Sequence, residues 1–150
     1  MVVKKSISVV FCMVFFVSCA TTTTRRKEYF KSYSINAEQQ ANIGASMLTF
    51  KDITYIEGKR WVGFLYSNDG WEHFKYPSDD SFKEELIYTG RSGTTIHISY
   101  REYKKDFARP AFYQELTYDL EKSDIIMFRN YKIKVLAATN EYIQFIVLTD

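Results

Sequence analysis

Several residue types that mark specialised classes of protein are scarce in this 150-residue sequence. Two cysteines exclude a disulfide-dense scaffold, and two prolines with six glycines exclude collagen-like and low-complexity chains. Neither sign of charge predominates, with 20 basic and 18 acidic residues, and a hydrophobic fraction of 46% is that of a folded chain rather than a disordered one. This length is enough for one domain and short for two.

The first 18 residues have the pattern of a secretory signal peptide. Lys4 and Lys5 precede an apolar run over residues 7–17 that only Ser8 interrupts. As a helix this run would rise about 16 Å, against a hydrocarbon core of roughly 30 Å. It is therefore too short to cross a bilayer and has the length expected of the apolar region of a signal peptide.

The apolar run ends in Phe16-Val17-Ser18-Cys19-Ala20. This ending resembles the lipobox of bacterial lipoproteins, with Ser18 at the position of the small residue and Cys19 at that of the cysteine. The resemblance implies cleavage before Cys19 and a diacylglyceryl group on its thiol, usually with a further acyl chain such as palmitate. Ala20 stands where a signal for retention in the inner membrane would commonly be Asp. By the same analogy, in a bacterium with two membranes, we expect the protein in the outer membrane, facing the periplasm.

Removal of residues 1–18 would leave a chain of balanced charge with a single cysteine. Lys4 and Lys5 leave with that segment, so 18 basic residues remain with 18 acidic ones. A neutral chain gives no electrostatic reason to expect a nucleic-acid partner. Cys12 is also removed, and the remaining Cys19 has no internal disulfide partner. Acylation would cap a thiol that is otherwise reactive in an oxidising envelope.

The composition changes near residue 40. Residues 19–40 are small, polar and basic without apolar periodicity, and we expect a flexible tether there. From residue 41, β-branched and aromatic residues dominate and turn residues recur about every ten positions. The sequence predicts one all-β domain over residues 41–150, either an antiparallel β-sandwich or a small barrel. A parallel sheet is excluded because no stretch has the period of a crossover helix.

Alternation of apolar and polar residues defines the strands and the core. Ile96, Ile98 and Tyr100 alternate with polar residues and are predicted to face the core. Further predicted core residues are Phe112, Leu116, Tyr118, Leu120, Tyr131, Ile133 and Val135. The predicted strands cover residues 43–50, 53–57, 61–67, 72–76, 85–89, 94–103, 112–120, 125–128, 131–138 and 142–148. Turns are predicted at 68–70 and 90–93, where Gly and Asn tolerate positive φ.

The residues that carry catalytic or metal chemistry form no convincing constellation. His73 and His97 are isolated in the sequence, and we expect neither a metal nor a cofactor. Acidic pairs occur at 79–80 and 84–85, and acids beside Pro77 and Ser78 are typical of a solvated turn. Paired carboxylates can nonetheless divide acid and base roles in hydrolysis. We therefore expect a non-enzymatic protein without catalytic residues, with a hydrolase that uses this acidic turn as an alternative.

Three arginines are candidate partner contacts. Arg91 lies in the glycine-rich turn 90–93, and Arg101 is on the polar face of the most regular strand. Arg109 precedes Pro110, which fixes its own φ and favours an extended Arg109. Arginine beside aromatic residues is common in the energetic centres of interfaces. The alternative for Arg109 is a braced crossover between strands.

The C-terminal part has a second resemblance. Residues 86–93, 99–102, 108–112 and 116–120 look like a group of small predicted bacterial lipoproteins that carry no assigned activity. Together with the lipobox, this implies a lipid-anchored envelope protein, and we expect a binding or scaffolding module for an envelope protein or polymer. The alternative binding function is a small-ligand carrier whose barrel interior is lined by aromatic residues, since 12 tyrosines are present.

Overall fold

Ten strands make up the regular structure of the residues that the computed structural model describes, 21–66, 69–104 and 110–150. They are β1 (Thr21–Lys31), β2 (Glu38–Asn42), β3 (Ser46–Trp61), β4 (Trp71–Pro77), β5 (Phe82–Ser92), β6 (Thr95–Lys104), β7 (Pro110–Asp119), β8 (Ile125–Phe128), β9 (Tyr131–Ala138) and β10 (Tyr142–Thr149). The predicted all-β class is confirmed. The signal peptide, Cys19 and residues 105–109 lie outside the described residues.

The strands form two antiparallel sheets that pack against each other. The larger sheet has the order β1-β3-β5-β6-β7, with β4 also paired to β3, and the smaller has the order β2-β10-β9-β8. The larger sheet is open and uncurled, so the architecture is that of a β-sandwich. The chain passes from the smaller sheet to the larger through residues 43–45, where the Gly44 amide donates to the Tyr88 carbonyl (2.7 Å).

The core lies between the two sheets, where the alternation predicted it. Ile96, Ile98 and Tyr100 are each at most 1% exposed. Residues Tyr131, Ile133 and Val135 of β9 are buried as predicted, as is Leu116 of β7, whereas Tyr118 and Leu120 pack against the core while partly exposed. The prediction for Phe112 is wrong, since this side chain is half exposed. The reason is that Phe112 lies near the start of β7, which is the edge strand of the larger sheet.

β3 is the longest strand and belongs to two parts of the molecule. Its residues 46–52 pair with β5, and its residues 55–61 pair with β4, while β1 lies along the opposite edge. We call β1, residues 53–61 of β3 and β4 the wing, and the remaining strands the sandwich. No residue of β1 or β4 belongs to the buried core. The wing is therefore an extension of the larger sheet that the smaller sheet does not cover.

The predicted tether is wrong over its described residues. Within 19–40, residues 21–31 form β1, and β2 begins at Glu38. β1 pairs with β3 along its whole length, from Thr21 opposite Arg60 to Lys31 opposite Phe50. The side chains of β1 are almost all exposed, so the strand is held by backbone hydrogen bonds. A strand held in this way needs no alternation of apolar and polar residues, and the sequence therefore gives no sign of it. The folded domain thus includes chain N-terminal to residue 41.

Two connections differ from their predictions. Of the strand predicted over 61–67, residues 62–66 form a loop, because β3 ends at Trp61 and Gly63 takes a positive φ of 85°. Asp69 and Gly70 lie in the loop that follows, whereas Asn68 is outside the described residues. The predicted turn 90–93 is shifted, since β5 continues to Ser92 through a bulge at Gly90 and turns at Gly93. Predicted strands 43–50 and 53–57 are both parts of β3 except for residues 43–45.

Candidate functional site

A cleft of about 350 Å³ opens at the surface where the two sheets meet beside the β8–β9 turn. We call it the inter-sheet cleft. The larger sheet contributes Glu84 from β5, and the smaller sheet contributes Arg129 and Tyr131 from the β8–β9 hairpin. Its remaining lining residues are Lys31, Tyr33, Phe50, Phe82, Asn130 and Asp150. Among the described residues, charged and phenolic groups from both sheets meet in this cleft.

Arg129 of this cleft bridges two carboxylates, of which Glu84 lines the cleft and Glu102 lies next to it. Glu84 and Glu102 are directly opposite each other on β5 and β6, an arrangement that is destabilising for like charges. Arg129 donates from Nη1 to Glu84 Oε2 (3.2 Å) and from Nη2 to Glu102 Oε2 (3.1 Å). Its guanidinium also lies 4.5 Å from the centroid of the Tyr100 ring. The positive charge from one sheet therefore offsets the repulsion within the other.

Two tyrosine hydroxyls complete the shell of donors around these carboxylates. Tyr131 donates to Glu84 Oε1 (2.6 Å), and Tyr100 lies 3.1 Å from both Glu84 Oε2 and Glu102 Oε2. Burial raises the pKa of Tyr131, and the hydrogen bond to Glu84 raises it further. Burial and the negative charge of Glu84 likewise raise the pKa of Tyr100. Both hydroxyls therefore stay protonated as hydrogen-bond donors at neutral pH.

A second charged group lies on the other side of the cleft. Asp150 Oδ2 accepts hydrogen bonds from Lys31 Nζ (2.5 Å) and from the Tyr33 hydroxyl (2.6 Å). These two donors lower the pKa of Asp150. The Tyr33 ring meets the Tyr131 ring edge-on at 6.0 Å, which joins the two halves of the cleft. The network ties β1, the sandwich and Asp150 together, so its groups are suited to fixing a rigid surface.

Arg91 has internal partners that the sequence does not reveal. Its Nε donates to the Gly93 carbonyl (2.6 Å), its Nη1 to the Ala138 carbonyl (2.8 Å), and its backbone amide to Asn140 Oδ1 (3.1 Å). Nearby, the buried Tyr88 donates its hydroxyl to the Thr139 carbonyl (2.6 Å). Arg91 therefore helps to hold the turn between β9 and β10 against β5.

The structure does not bring the candidate arginines Arg91 and Arg101 together. Arg101 is exposed on β6 and pairs in register with Glu85, whereas Arg91 pairs with Ile96. Six positions along β5 separate Glu85 from Arg91, which amounts to about 20 Å. Arg109 lies outside the described residues. A contact of these arginines with a partner stays a prediction.

The acidic pair at 79–80 is exposed in a turn, as predicted, whereas Glu84 and Glu85 lie within β5. Asp80 Oδ2 accepts a hydrogen bond from Arg25 Nη1 of β1 (3.4 Å). Glu85 pairs with Lys83 (2.6 Å), whereas Glu84 belongs to the inter-sheet cleft, because neighbouring side chains of a strand point to opposite faces. The partner of Glu84 is Glu102, which is 18 positions away in the sequence. Only the register of β5 with β6 reveals this pair, and the sequence analysis missed both Glu102 and Arg129.

The histidines are far apart in the fold. His73 is on β4 in the wing, and His97 is on β6 in the sandwich. Within residues 21–66, 69–104 and 110–150, no group of three or more His, Cys, Asp or Glu is placed to hold a metal ion.

Both tryptophans of the chain meet at the end of the wing. Trp61 and Trp71 are cross-strand partners with ring centroids 5.4 Å apart, and Phe64 meets Trp61 edge-on at 5.1 Å. The loop after Trp61 exposes three apolar side chains, with Phe64 72%, Leu65 97% and Tyr66 85% exposed. We call Trp61, Phe64, Leu65, Tyr66 and Trp71 the wing tip. The start of β1 lies beside it, because Thr21 pairs with Arg60.

Gly70 allows the tip to pack. A Cβ atom at this position would lie 2.2 Å from the Trp61 ring, and Gly70 has a positive φ of 76°. The Gly70 carbonyl accepts from the amide of Val62 (2.9 Å), and Asp69 Oδ1 accepts from the amide of Trp71 (3.1 Å). Glycine is thus needed here both for conformation and for the close approach of the indole.

Comparison with protein families, with curated proteins and with solved structures finds no match to this chain. Among the residues that the structure describes, no helix is long and apolar enough to cross a membrane.

Proposed function

We propose that this protein is a lipid-anchored component of a bacterial envelope, held by acylated Cys19, and that its β-domain is a non-enzymatic binding or scaffolding module. The observation that carries the proposal is the N-terminal sequence: two lysines, an apolar run of signal-peptide length and the Ser18-Cys19 junction. By analogy with lipoproteins that lack Asp after the cysteine, the membrane is the outer one and the domain faces the periplasm.

The start of β1 supports this proposal. Thr21 is the first residue of the strand and follows Cys19 by two positions. A strand of 11 residues rises roughly 35 Å, so β1 is long enough to act as a spacer between an anchor and the sandwich. A spacer that is paired with β3 would present the sandwich in a limited range of orientations, which suits a scaffolding module.

The charged groups of the inter-sheet cleft also favour binding over catalysis. The carboxylates of Glu84 and Asp150 each accept hydrogen bonds from a cation and a tyrosine, which offset their charge. Such a network rigidifies a surface. Arg91, Arg101 and Arg109 remain our proposed contacts for an envelope protein or polymer.

Two cysteine variants of the full-length chain test the anchor. Cys19→Ala is expected to abolish incorporation of a labelled fatty acid and to release the protein from the membrane fraction or leave it unprocessed. Cys12→Ala is the matched control, because Cys12 lies in the segment to be removed, and this variant is expected to be acylated and retained. Equal acylation and retention of both variants would overturn the proposal.

The partner is sought with the same full-length protein. Crosslinking in the intact envelope, followed by mass spectrometry, is expected to recover a defined neighbour with the wild type and to lose it with Cys19→Ala. Turnover of an envelope substrate by the purified protein would contradict a purely binding function.

A further inference from the structure

We propose that the wing tip is a second membrane contact, in which Trp61, Phe64, Leu65, Tyr66 and Trp71 lie in the interfacial layer of the bilayer that holds Cys19. This inference rests on the proposed lipid anchor and extends it. It specifies which part of the folded domain touches the membrane, and it predicts that the domain is held at two points.

The first argument is the exposure of the tip. Phe64, Leu65 and Tyr66 are consecutive, and each exposes at least 72% of its surface. Single exposed apolar residues are normal on soluble proteins, but a contiguous apolar patch marks a surface that contacts another molecule or a membrane. The two tryptophans beneath this loop are only partly buried and extend the patch.

The second argument is the distance to the anchor. Thr21 pairs with Arg60, the neighbour of Trp61, so β1 begins at the wing tip rather than at the sandwich. Only Ala20 lies between Cys19 and Thr21, so their Cα atoms are at most about 7 Å apart. An acylated Cys19 would therefore hold this end of the wing at the lipid surface, while the opposite end of β1 joins the sandwich at Lys31.

The third argument is the chemistry of the side chains. Tryptophan and tyrosine have apolar rings with a polar edge, and they are enriched where hydrocarbon meets headgroups. Lys59 is exposed close to Trp61 in β3 and provides positive charge at the level of the lipid phosphates, while its neighbour Arg60 is paired with Glu72 (2.6 Å). An aromatic tip located beside an anchor, with Lys59 at its border, fits a lipid surface better than it fits a protein partner.

The tryptophans allow a direct test, because the chain has no others and both lie at the tip. The full-length protein is purified from membranes and reconstituted into vesicles of phosphatidylethanolamine and phosphatidylglycerol, with or without brominated acyl chains. We expect bromines near the headgroup to lower the tryptophan emission roughly twofold, as for rings of an interfacial aromatic belt, and bromines at the chain end to lower it less.

Variants assign the contact to the tip. Replacing Phe64, Leu65 and Tyr66 together with serine is expected to abolish most of the quenching by bromolipid while Cys19 stays acylated. Leu136→Ser is the matched control, because Leu136 is an exposed apolar residue of β9 in the sandwich, and it is expected to leave the quenching unchanged. A circular dichroism spectrum of each variant checks that the β-structure is intact. The quenching measurement on the wild-type protein tests the contact even if a variant fails to fold.

The outcomes separate this inference from the anchor. An intact mass without an acyl group overturns the proposed function and, with it, the contact that depends on it. An acylated protein whose tryptophans are quenched by iodide from water and not by bromolipid overturns only the contact. Tryptophans that are protected from both quenchers would indicate that a protein or a second copy of this chain covers the tip, which also overturns it.

Discussion

The sandwich and the wing are stabilised by different interactions, although they share β3. In the sandwich, each buried aliphatic or aromatic side chain contributes about 1.5–3 kcal/mol through removal from water. The wing has backbone pairing and surface ion pairs, such as Arg60–Glu72 at 2.6 Å, which contribute little because water screens exposed charges. We infer that the sandwich determines the global stability of the protein. The wing is a surface extension whose own stability depends on the sandwich.

The junction between the two parts is a small buried polar cluster. Ser81 Oγ donates to the Thr54 carbonyl (3.2 Å) and accepts from the Thr54 amide (3.1 Å). The Ser78 amide donates to the same carbonyl (2.6 Å). Ser81 and Thr54 are almost completely buried. β3 therefore changes its partner from β5 to β4 at a point where its backbone groups are still satisfied.

The largest expected contrast is between two phenylalanines. Phe145→Ala removes a ring that is 1% exposed in the sandwich and should lower the free energy of unfolding by about 3–5 kcal/mol through the lost burial and the resulting cavity. Phe30→Ala in the wing, where the ring is 51% exposed, should cost less than about 1 kcal/mol. Urea denaturation measures both. Similar losses would contradict the division into two parts.

Two arginines provide the next contrast. Arg129→Met leaves Glu84 and Glu102 adjacent and mostly buried without their cation, and it should cost about 1–3 kcal/mol. Arg60→Met removes an ion pair with a shorter distance in the wing, but water screens this exposed pair, so the melting temperature should stay close to that of the wild type. Thermal denaturation of both variants checks this. A larger loss for Arg60→Met would mean that pair distance, rather than burial, determines the contribution.

The junction gives a smaller effect. Ser81→Ala leaves the buried amide of Thr54 without its acceptor and should cost about 1–2 kcal/mol. Ser123→Ala is the matched control, because Ser123 is exposed and bonds only to its own turn, and it should cost less than about 0.5 kcal/mol. Hydrogen exchange should show faster exchange in β4 for Ser81→Ala. Unchanged protection of β4 would argue against the role of the junction.

The smallest expected effect depends on pH. Lys31 and Tyr33 lower the pKa of Asp150 below its ordinary value of 3.8, so ionised Asp150 stabilises the fold above that pH. Asp150→Asn should therefore cost about 1 kcal/mol at neutral pH, and the difference from wild type should vanish as the pH falls through the folded pKa. Asp124→Asn, an exposed residue near Lys134, is the control and should stay close to wild type. A difference that grows in acid would contradict this assignment.

The sequence predicted the sandwich well because its strands alternate between core and solvent. β8 and β9 have the predicted bounds, and the buried residues of β6 are those that its period indicates. β1 was missed because a strand with both faces in solvent needs no apolar alternation. The boundary between β3 and the tip loop was predicted incorrectly, because aromatic residues such as Phe64 suggest a strand. The positive φ of Gly63 prevents the strand from continuing there.

The inter-sheet cleft was not predictable in the same way. Glu84 was noted as part of an acidic pair with Glu85, but strand geometry places these neighbours on opposite faces. Its structural partners come from β6 and from the β8–β9 turn, and only sheet register and packing identify them. Arg91 was noted for its place in a glycine-rich turn, yet one of the two carbonyls that it binds, that of Ala138, belongs to the other sheet.

The central claim is that the chain is anchored through Cys19 at the end of the wing. The most direct measurement is mass spectrometry of the N-terminal peptide from the protein isolated from its own envelope. Our account predicts a peptide that begins at Cys19 and carries a diacylglyceryl group. A peptide that still contains residues 1–18, or one that begins at an unmodified Cys19, would contradict it.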